Sequence, residues 1–273
     1  MDLENYFISQ FETKFVGDDA AEAAGLLFSK DAFFENVHFK REWLGCRAIA
    51  KRAMMVNVSD AVAMNAKPLY ALLAVAMPKN ISRHDAKELA EGFKEASRYY
   101  GVEIIGGDTI ANSKLDITVT IVSKSKKPLF RKGLREGHLL AYTGELGRSA
   151  KELKRLLRGG RVHTRSKFRS MQLRNAFISS ARRFLSCGMD ISDGLFSELE
   201  KLARINRTGF EFLQKVPNSA GCSGEEYEML IGFDARHKKA IIRRAKQTRT
   251  PLHIFARAQR GNCKNICKRH HFG

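Results

Sequence analysis

Hydrophobic and polar positions alternate with two different periods along this chain, and each change of period marks a new element. Residues 45–66 carry Ala48, Ile49, Met54 and Met55 among their apolar positions and predict a helix. The nearly unbroken apolar run Leu69–Met77, bounded by Pro68 and Pro78, predicts a buried strand. Ser82 is placed to cap a helix that runs to about Tyr100, with Ala86, Leu89, Ala90, Phe93 and Ala96 at helical spacing and Gly101 as its stop. Val102–Ile105 predicts a short strand that ends at Gly106-Gly107-Asp108-Thr109. Leu115, Ile117, Val119 and Ile121 alternate with polar residues, the pattern of a half-buried strand.

The polar stretch Ser123–Pro128 is the best candidate boundary between two domains, 1–125 and 129–273. Beyond it, His138–Thr143 predicts a strand and Gly144–Gly147 a turn into a helix. Residues 148–183 hold twelve Lys or Arg and one Glu, and predict a cationic helical region. Cys187–Ile191 predicts another strand. Ser192-Asp193-Gly194 then opens an amphipathic helix with Leu195, Leu199 and Leu202 on one face. The fold class this implies is α/β (α+β).

Composition narrows the function classes. The chain has 273 residues, 44% hydrophobic and 28% charged, the mix of a globular protein. No apolar run reaches the roughly 18 residues that a membrane span needs, and the acidic start lacks the apolar core of a secretory signal. Five irregularly spaced cysteines argue against a disulfide framework and for a reducing, cytoplasmic setting. The net charge of +19 is lopsided. Residues 1–130 hold 17 basic and 17 acidic side chains, whereas residues 235–273 hold 12 basic and none acidic. That asymmetry suits an anionic small substrate, a nucleic-acid surface or merely a solvated basic face.

The acidic residues recur at predicted element ends and glycine turns: Asp18-Asp19 after Gly17, Asp31 after Leu26-Leu27-Phe28, Asp108 after Gly106-Gly107, and Asp190 and Asp193 around Ile191-Ser192. Asp60, after Asn57-Val58-Ser59, falls inside the predicted helix. Carboxylates at strand ends are where open α/β sheets build sites. Many such carboxylates suit Mg2+, which takes oxygen ligands and usually one or two carboxylates plus substrate phosphates. Each acid alone is equally a cap or a turn residue. The P-loop, G-x-G-x-x-G, H-E-x-x-H and G-x-S-x-G patterns are absent. Cys263, Cys267, His270 and His271 imitate a zinc site, although adjacent histidines rarely converge on one ion.

Eight segments then fall into one order along the chain. They are Gly17–Ala21, Asp31–Phe39, Val56–Met64, Gly106–Thr109, Arg131–Gly133, Tyr142–Gly147, Met189–Leu195 and Gly224–Leu230. Together they resemble the thiamine-monophosphate kinase family, of the aminoimidazole-ribonucleotide-synthetase-like ATP-binding superfamily. Selenophosphate synthetase, a sister family, needs a reactive residue near the N-terminus, and the first cysteine here is Cys46.

The resemblance implies a two-domain fold, with an N-terminal mixed sheet used for dimerisation and a C-terminal α/β domain. It implies transfer of the γ-phosphoryl group of ATP to thiamine monophosphate with Mg2+ as cofactor, in a homodimer with no membrane and no specific nucleic-acid partner. By motif position, Asp19, Ser29, Asp31, Asp60, Asp108, Asp190 and Asp193 are implied metal contacts, Asp108 and Asp193 foremost. Gly107, Asp108, Arg131 and Ser192 are implied ATP contacts, and His38 and Glu225 substrate contacts. No general base is implied. The chain departs from the family pattern at Lys30 (usually a small hydroxyl residue), Asn36 and Asn65 (glycines), His138 (Asp) and Glu226 (Asp). Ile266 stands near the position of a C-terminal aromatic, five residues before His271-Phe272. A sister enzyme with another small acceptor, a basic nucleic-acid-binding protein and a non-catalytic nucleotide-binding dimer are the competing readings.

Overall fold

The computed structural model describes residues 3–268. In chain order the elements begin with α1 (Leu3–Ser9), β1 (Ala21–Ala23), β2 (Leu26–Phe34), α2 (Cys46–Ala63), β3 (Lys67–Pro78), α3 (Arg83–Tyr100), β4 (Glu103–Asn112) and β5 (Asp116–Lys124). They continue with β6 (Leu139–Thr143), α4 (Arg148–Leu157), α5 (Asn175–Ala181), β7 (Cys187–Asp190), α6 (Leu195–Asn206), β8 (Gly209–Phe212), α7 (Asn218–Gly221), β9 (Met229–Phe233), α8 (Lys238–Gln247) and β10 (Leu252–Gln259). The described residues form two compact units. The first takes residues 22–128 and 152–173, the second residues 3–21, 129–151 and 174–268.

The first unit is built on a mixed five-stranded sheet of order β1-β2-β5-β3-β4, with β3 and β4 parallel and β5 antiparallel to both its neighbours. The predicted alternation of β5 holds: Leu115, Ile117, Val119 and Ile121 have no exposed surface. They face α2, which is buried nearly all round, as expected of a helix without a polar face. Helix α3 packs on α2 and has the predicted ends. Ser82 Oγ accepts the Asp85 N–H at 3.0 Å, and Gly101 takes the left-handed conformation at φ 65°.

Two expectations need correction here. Strand β3 is buried on one face only: Ala71 and Val75 are in the core, whereas Tyr70 and Leu72 lie on a sheet face that nothing covers among the described residues. Strand β4 does not stop at Gly106 but runs through Gly106-Gly107-Asp108-Thr109 to Asn112, since its parallel pairing with β3 continues to Pro78.

The second unit holds an antiparallel sheet of order β7-β9-β6-β10-β8. Strands β7 and β9 are buried throughout, and Leu195, Leu199 and Leu202 of α6 join Met189, Leu230 and Phe255 in its core. The cationic stretch 148–183 is only partly helical. Between α4 and α5 the chain is irregular, and in the first unit it is held by contacts that period counting does not reveal. There the fully buried Arg52 donates to the carbonyls of Phe168 and Lys167 and lies over the Phe168 ring.

A disulfide joins Cys222 to Cys267, contrary to the sequence expectation. Pairing follows three-dimensional proximity, here a Cα–Cα distance of 5.4 Å, which the spacing of five cysteines does not encode. The imitated zinc site fails with it, because Cys267 is bonded to Cys222. His270 and His271, like Phe272, lie outside the described residues.

Candidate active site

In the first unit, Asn57 of α2 ties β2, which carries the implied metal contacts Ser29 and Asp31, to the helix. Its Oδ1 accepts the Asp31 N–H at 2.7 Å, its carbonyl accepts from Ser29 Oγ at 3.4 Å, and its Nδ2 donates to Ala53 at 2.9 Å. Asp60 lies one turn further along α2, in its last turn, while Asp31 and Asp108 lie inside β2 and β4. Asp31 and Asp108 thus stand within strands and not at strand ends, because the strand pairing continues past each of them.

Register sorts these residues onto two faces. Ser29 pairs with Ile121 and Asp31 with Val119, on the face toward α2; Lys30 pairs with Thr120 on the other face and is exposed. Lys30 therefore does not join Ser29 and Asp31. Asp108 pairs with Ala74, which pairs with Thr118, so Asp108 also lies on the face away from α2. Gly107 beside it has φ 149°, and a Cβ there would sit 1.7 Å from the Leu73 carbonyl oxygen, so no side chain fits.

The loop after β2 shapes the predicted substrate contact. Asn36 adopts φ 68°, the left-handed conformation its glycine counterpart would take, and its N–H donates to the Phe39 carbonyl at 2.7 Å. His38 Nδ1 accepts the Phe34 N–H at 3.0 Å, and its ring lies 5.6 Å from that of Phe33. Asn65 is likewise left-handed, at φ 52°.

In the second unit, Asp19 and Arg131 form a buried pair, with Nη2 donating to Oδ1 at 2.5 Å. Burial works against the Arg131 charge, but the Asp19 carboxylate more than offsets it and holds the guanidinium above its ordinary pKa. Asp18 Oδ1 accepts the Arg131 N–H, and Asn206 holds the same loop by accepting from Gly133 and Leu134. Asp190 ends β7 and is buried.

Asp193 precedes α6 but does not cap it. Its Oδ2 accepts from Lys201 at 2.8 Å, while Glu198 reaches back to accept the Asp193 N–H at 3.0 Å. Burial opposes the Lys201 charge, but Glu198 and Asp193 together raise its pKa. Glu225 N–H donates to the Ser192 carbonyl at 2.7 Å, so this predicted substrate contact and this predicted ATP contact are bonded directly. In the same unit, an apolar cavity of about 410 Å³ is lined by Phe196, Phe212, Val216, Cys263 and Ile266, with Lys215 and Lys264 at its wall; none of the candidate site residues lines it.

Asn57, Asn206, Glu198 and Lys201 were not among the candidate residues. Asn57 stands inside the Val56–Met64 motif. Glu198 stands five residues after Asp193, outside the three-residue spacing of a capping box, so no local pattern signals it.

The donor set fits Mg2+. Among the described residues no three His, Cys, Asp or Glu side chains form a ready cage. Mg2+ takes oxygen ligands, usually one or two carboxylates with phosphate oxygens, and the aspartates and Ser29 are all oxygen donors. Asp19 Oδ2 is buried without a hydrogen-bond partner, an oxygen whose desolvation a cation would offset.

Residues 17–124 match the family model described as AIR synthase related protein, N-terminal domain. A thiamine-monophosphate kinase of Nitrosopumilus maritimus is 30% identical over 222 residues, which cover 74% of this chain and 72% of the relative. One of Leptospira interrogans is 30% identical over 230 residues, 76% of this chain and 74% of the relative. The chain belongs to the thiamine-monophosphate kinase family. The fold agrees: a solved structure of AaThiL complexed with AMPPCP and TMP superposes with a TM-score of 0.83 at 24% identity, covering 96% of this chain and 91% of that one.

Proposed function

We propose that this protein transfers the γ-phosphoryl group of ATP to thiamine monophosphate, forming thiamine diphosphate in the last step of its biosynthesis. The observation that carries the reading is membership of the thiamine-monophosphate kinase family across about three quarters of the chain. The geometry supports it. Each unit presents motif carboxylates on ordered elements, and the second places a predicted ATP contact and a predicted substrate contact on hydrogen-bonded neighbours.

Mg2+, when bound, neutralises charge between two anionic phosphates. Asp19, Asp31, Asp60, Asp108, Asp190 and Asp193 are the proposed ligands, with Ser29 as a further contact. The remaining work belongs to the chain. The acceptor is a phosphate with a second pKa near 6, so its oxygen is already anionic at neutral pH and needs no general base. What remains is positioning. Gly107 lets backbone approach the nucleotide, Arg131 and Ser192 contact its phosphates, and His38 and Glu225 orient thiamine monophosphate. The cavity beside Ile266 offers apolar surface for its rings.

In our reading residues 1–125 supply ATP, Mg2+ and dimer contacts together with the His38 substrate contact, and residues 129–273 complete the ATP, metal and substrate site with Arg131, Asp190, Ser192, Asp193 and Glu225. Homodimerisation is supported by the uncovered sheet face, where Phe28, Tyr70, Leu72 and Ile110 are exposed. Asp108 shares that face, so a paired sheet would cover the strand that carries it. No helix among the described residues is long and apolar enough to cross a membrane. We read the enzyme as cytoplasmic, with Cys46, Cys187 and Cys263 as free thiols.

The test is an end-point assay with Mg-ATP and a panel of acceptors, products separated by chromatography. Thiamine diphosphate formed only with thiamine monophosphate, and lost with excess chelator, is expected. ADP formed with a ribonucleotide amide and not with thiamine monophosphate would overturn the acceptor.

A further inference from the structure

The turn that carries Glu225 has an unusual backbone. Glu225 sits at φ 58° and Tyr227 at φ 50°, two left-handed residues without a glycine between them. Such conformations persist only where the surroundings over-determine them, and they gather at functional sites.

The surroundings do over-determine this turn. Buried Glu226, the longer replacement for Asp, accepts with Oε1 from the N–H groups of Gly147 and Ser149 and from Ser223 Oγ, at 2.8, 3.1 and 2.6 Å. Buried Glu228 takes a bidentate bond from Arg174, at 2.7 and 2.8 Å, and a third from Thr143 Oγ1 at 2.7 Å. The Tyr227 N–H donates to Ile191, and Glu228 returns a carbonyl to the same residue, both at 2.8 Å. Two of the three glutamates are thus anchors. Glu225 alone of the three keeps solvent access. The 5% exposed Tyr227 donates its Oη–H to Glu225 Oε1 at 3.1 Å.

We propose that Tyr227 is a positioning residue: its hydroxyl orients the Glu225 carboxylate toward thiamine monophosphate and so sets the affinity for that substrate. The assignment rests on the function proposed above. The strained backbone fixes where the phenol sits, and the phenol fixes one oxygen of the only one of these carboxylates that a ligand reaches. Oriented acceptors bind more tightly because the ordering cost is met before the ligand arrives.

Calorimetric titration of the full chain tests it, with thiamine monophosphate and Mg-ATP titrated separately. A hydrogen bond to a carboxylate is worth about 1.5–3 kcal/mol. Tyr227→Phe is therefore expected to weaken thiamine monophosphate by up to roughly ten- to 150-fold and to leave Mg-ATP affinity nearly unchanged. In a Glu225→Ala background, Tyr227→Phe is expected to add nothing. Should Tyr227→Phe fold poorly, Glu225→Asp, which draws the carboxylate away from the phenol, is expected to reproduce the selective loss. Unchanged affinity, an equal loss for both ligands, or an effect that persists without Glu225 would overturn the assignment. Failure of the unsubstituted protein to bind thiamine monophosphate would overturn the proposed function, and this assignment with it.

Discussion

The Glu225 N–H donates to the Ser192 carbonyl at 2.7 Å, which joins the Gly224–Leu230 motif to the Met189–Leu195 motif as one ladder. Segments more than thirty residues apart in sequence therefore behave as a single structural piece. Asp193, next to Ser192, is held from the other side by Lys201 and Glu198.

That arrangement separates the role of Asp193 in charge placement from any role in stability. Its ion pair with Lys201 leaves 31% of each side chain exposed, so solvent screens it and its contribution is at most about 1 kcal/mol. Asp193→Asn is expected to cut thiamine diphosphate formation at least about 100-fold with little change in Tm. Asp108→Asn is expected to cut thiamine diphosphate formation to the same degree. Full activity in either variant would remove that residue from the metal set.

Arg174 is the opposite case. It and Glu228 are both nearly excluded from solvent, so breaking the pair leaves an uncompensated buried carboxylate. Arg174→Met is expected to cost about 3–5 kcal/mol in urea unfolding. A loss below about 1 kcal/mol would show that Glu228 does not need its partner.

How much of this was legible beforehand depended on whether the signal was local. Ser82 and Gly101 announce the ends of α3, and Leu115 to Ile121 announce β5, because capping and alternation are properties of neighbouring residues. The motif residues were readable as a set through the resemblance. The placement of Asp108 away from Ser29 and Asp31 was not, because it depends on strand register across three strands. The Cys222–Cys267 bond and the Arg52–Phe168 contact join residues far apart in sequence, and nothing near either partner signals them.

His138 gives stability a pH dependence. Burial lowers its pKa below the ordinary histidine value; Asp234 opposes this, while Arg135 and Arg236 reinforce it. Its Nδ1 accepts the Arg135 N–H, a bond that protonation removes. The unfolded chain therefore binds the proton more readily than the folded one. Stability is full above the ordinary histidine pKa of about 6.5 and falls as pH drops below it. His138→Asn is expected to flatten urea midpoints between about pH 7 and pH 5. An unchanged slope would assign the dependence elsewhere.

The Cys222–Cys267 bond closes a long loop, with a sequence separation of 45. Chain-entropy reasoning assigns such a cross-link roughly 3–4 kcal/mol. Reduction, or paired replacement by serine, is expected to lower the urea midpoint accordingly. Identical midpoints with and without reductant would show that the bond does not form in solution.

The most direct test of the central claim follows the phosphoryl group itself. ATP labelled at the γ-phosphate is incubated with Mg2+, thiamine monophosphate and the full-length protein, and the label is located after separation. The account predicts label in the terminal phosphate of thiamine diphosphate, one for each ADP formed. Label released only as inorganic phosphate would contradict direct transfer, and label retained in ATP would contradict the kinase reading altogether.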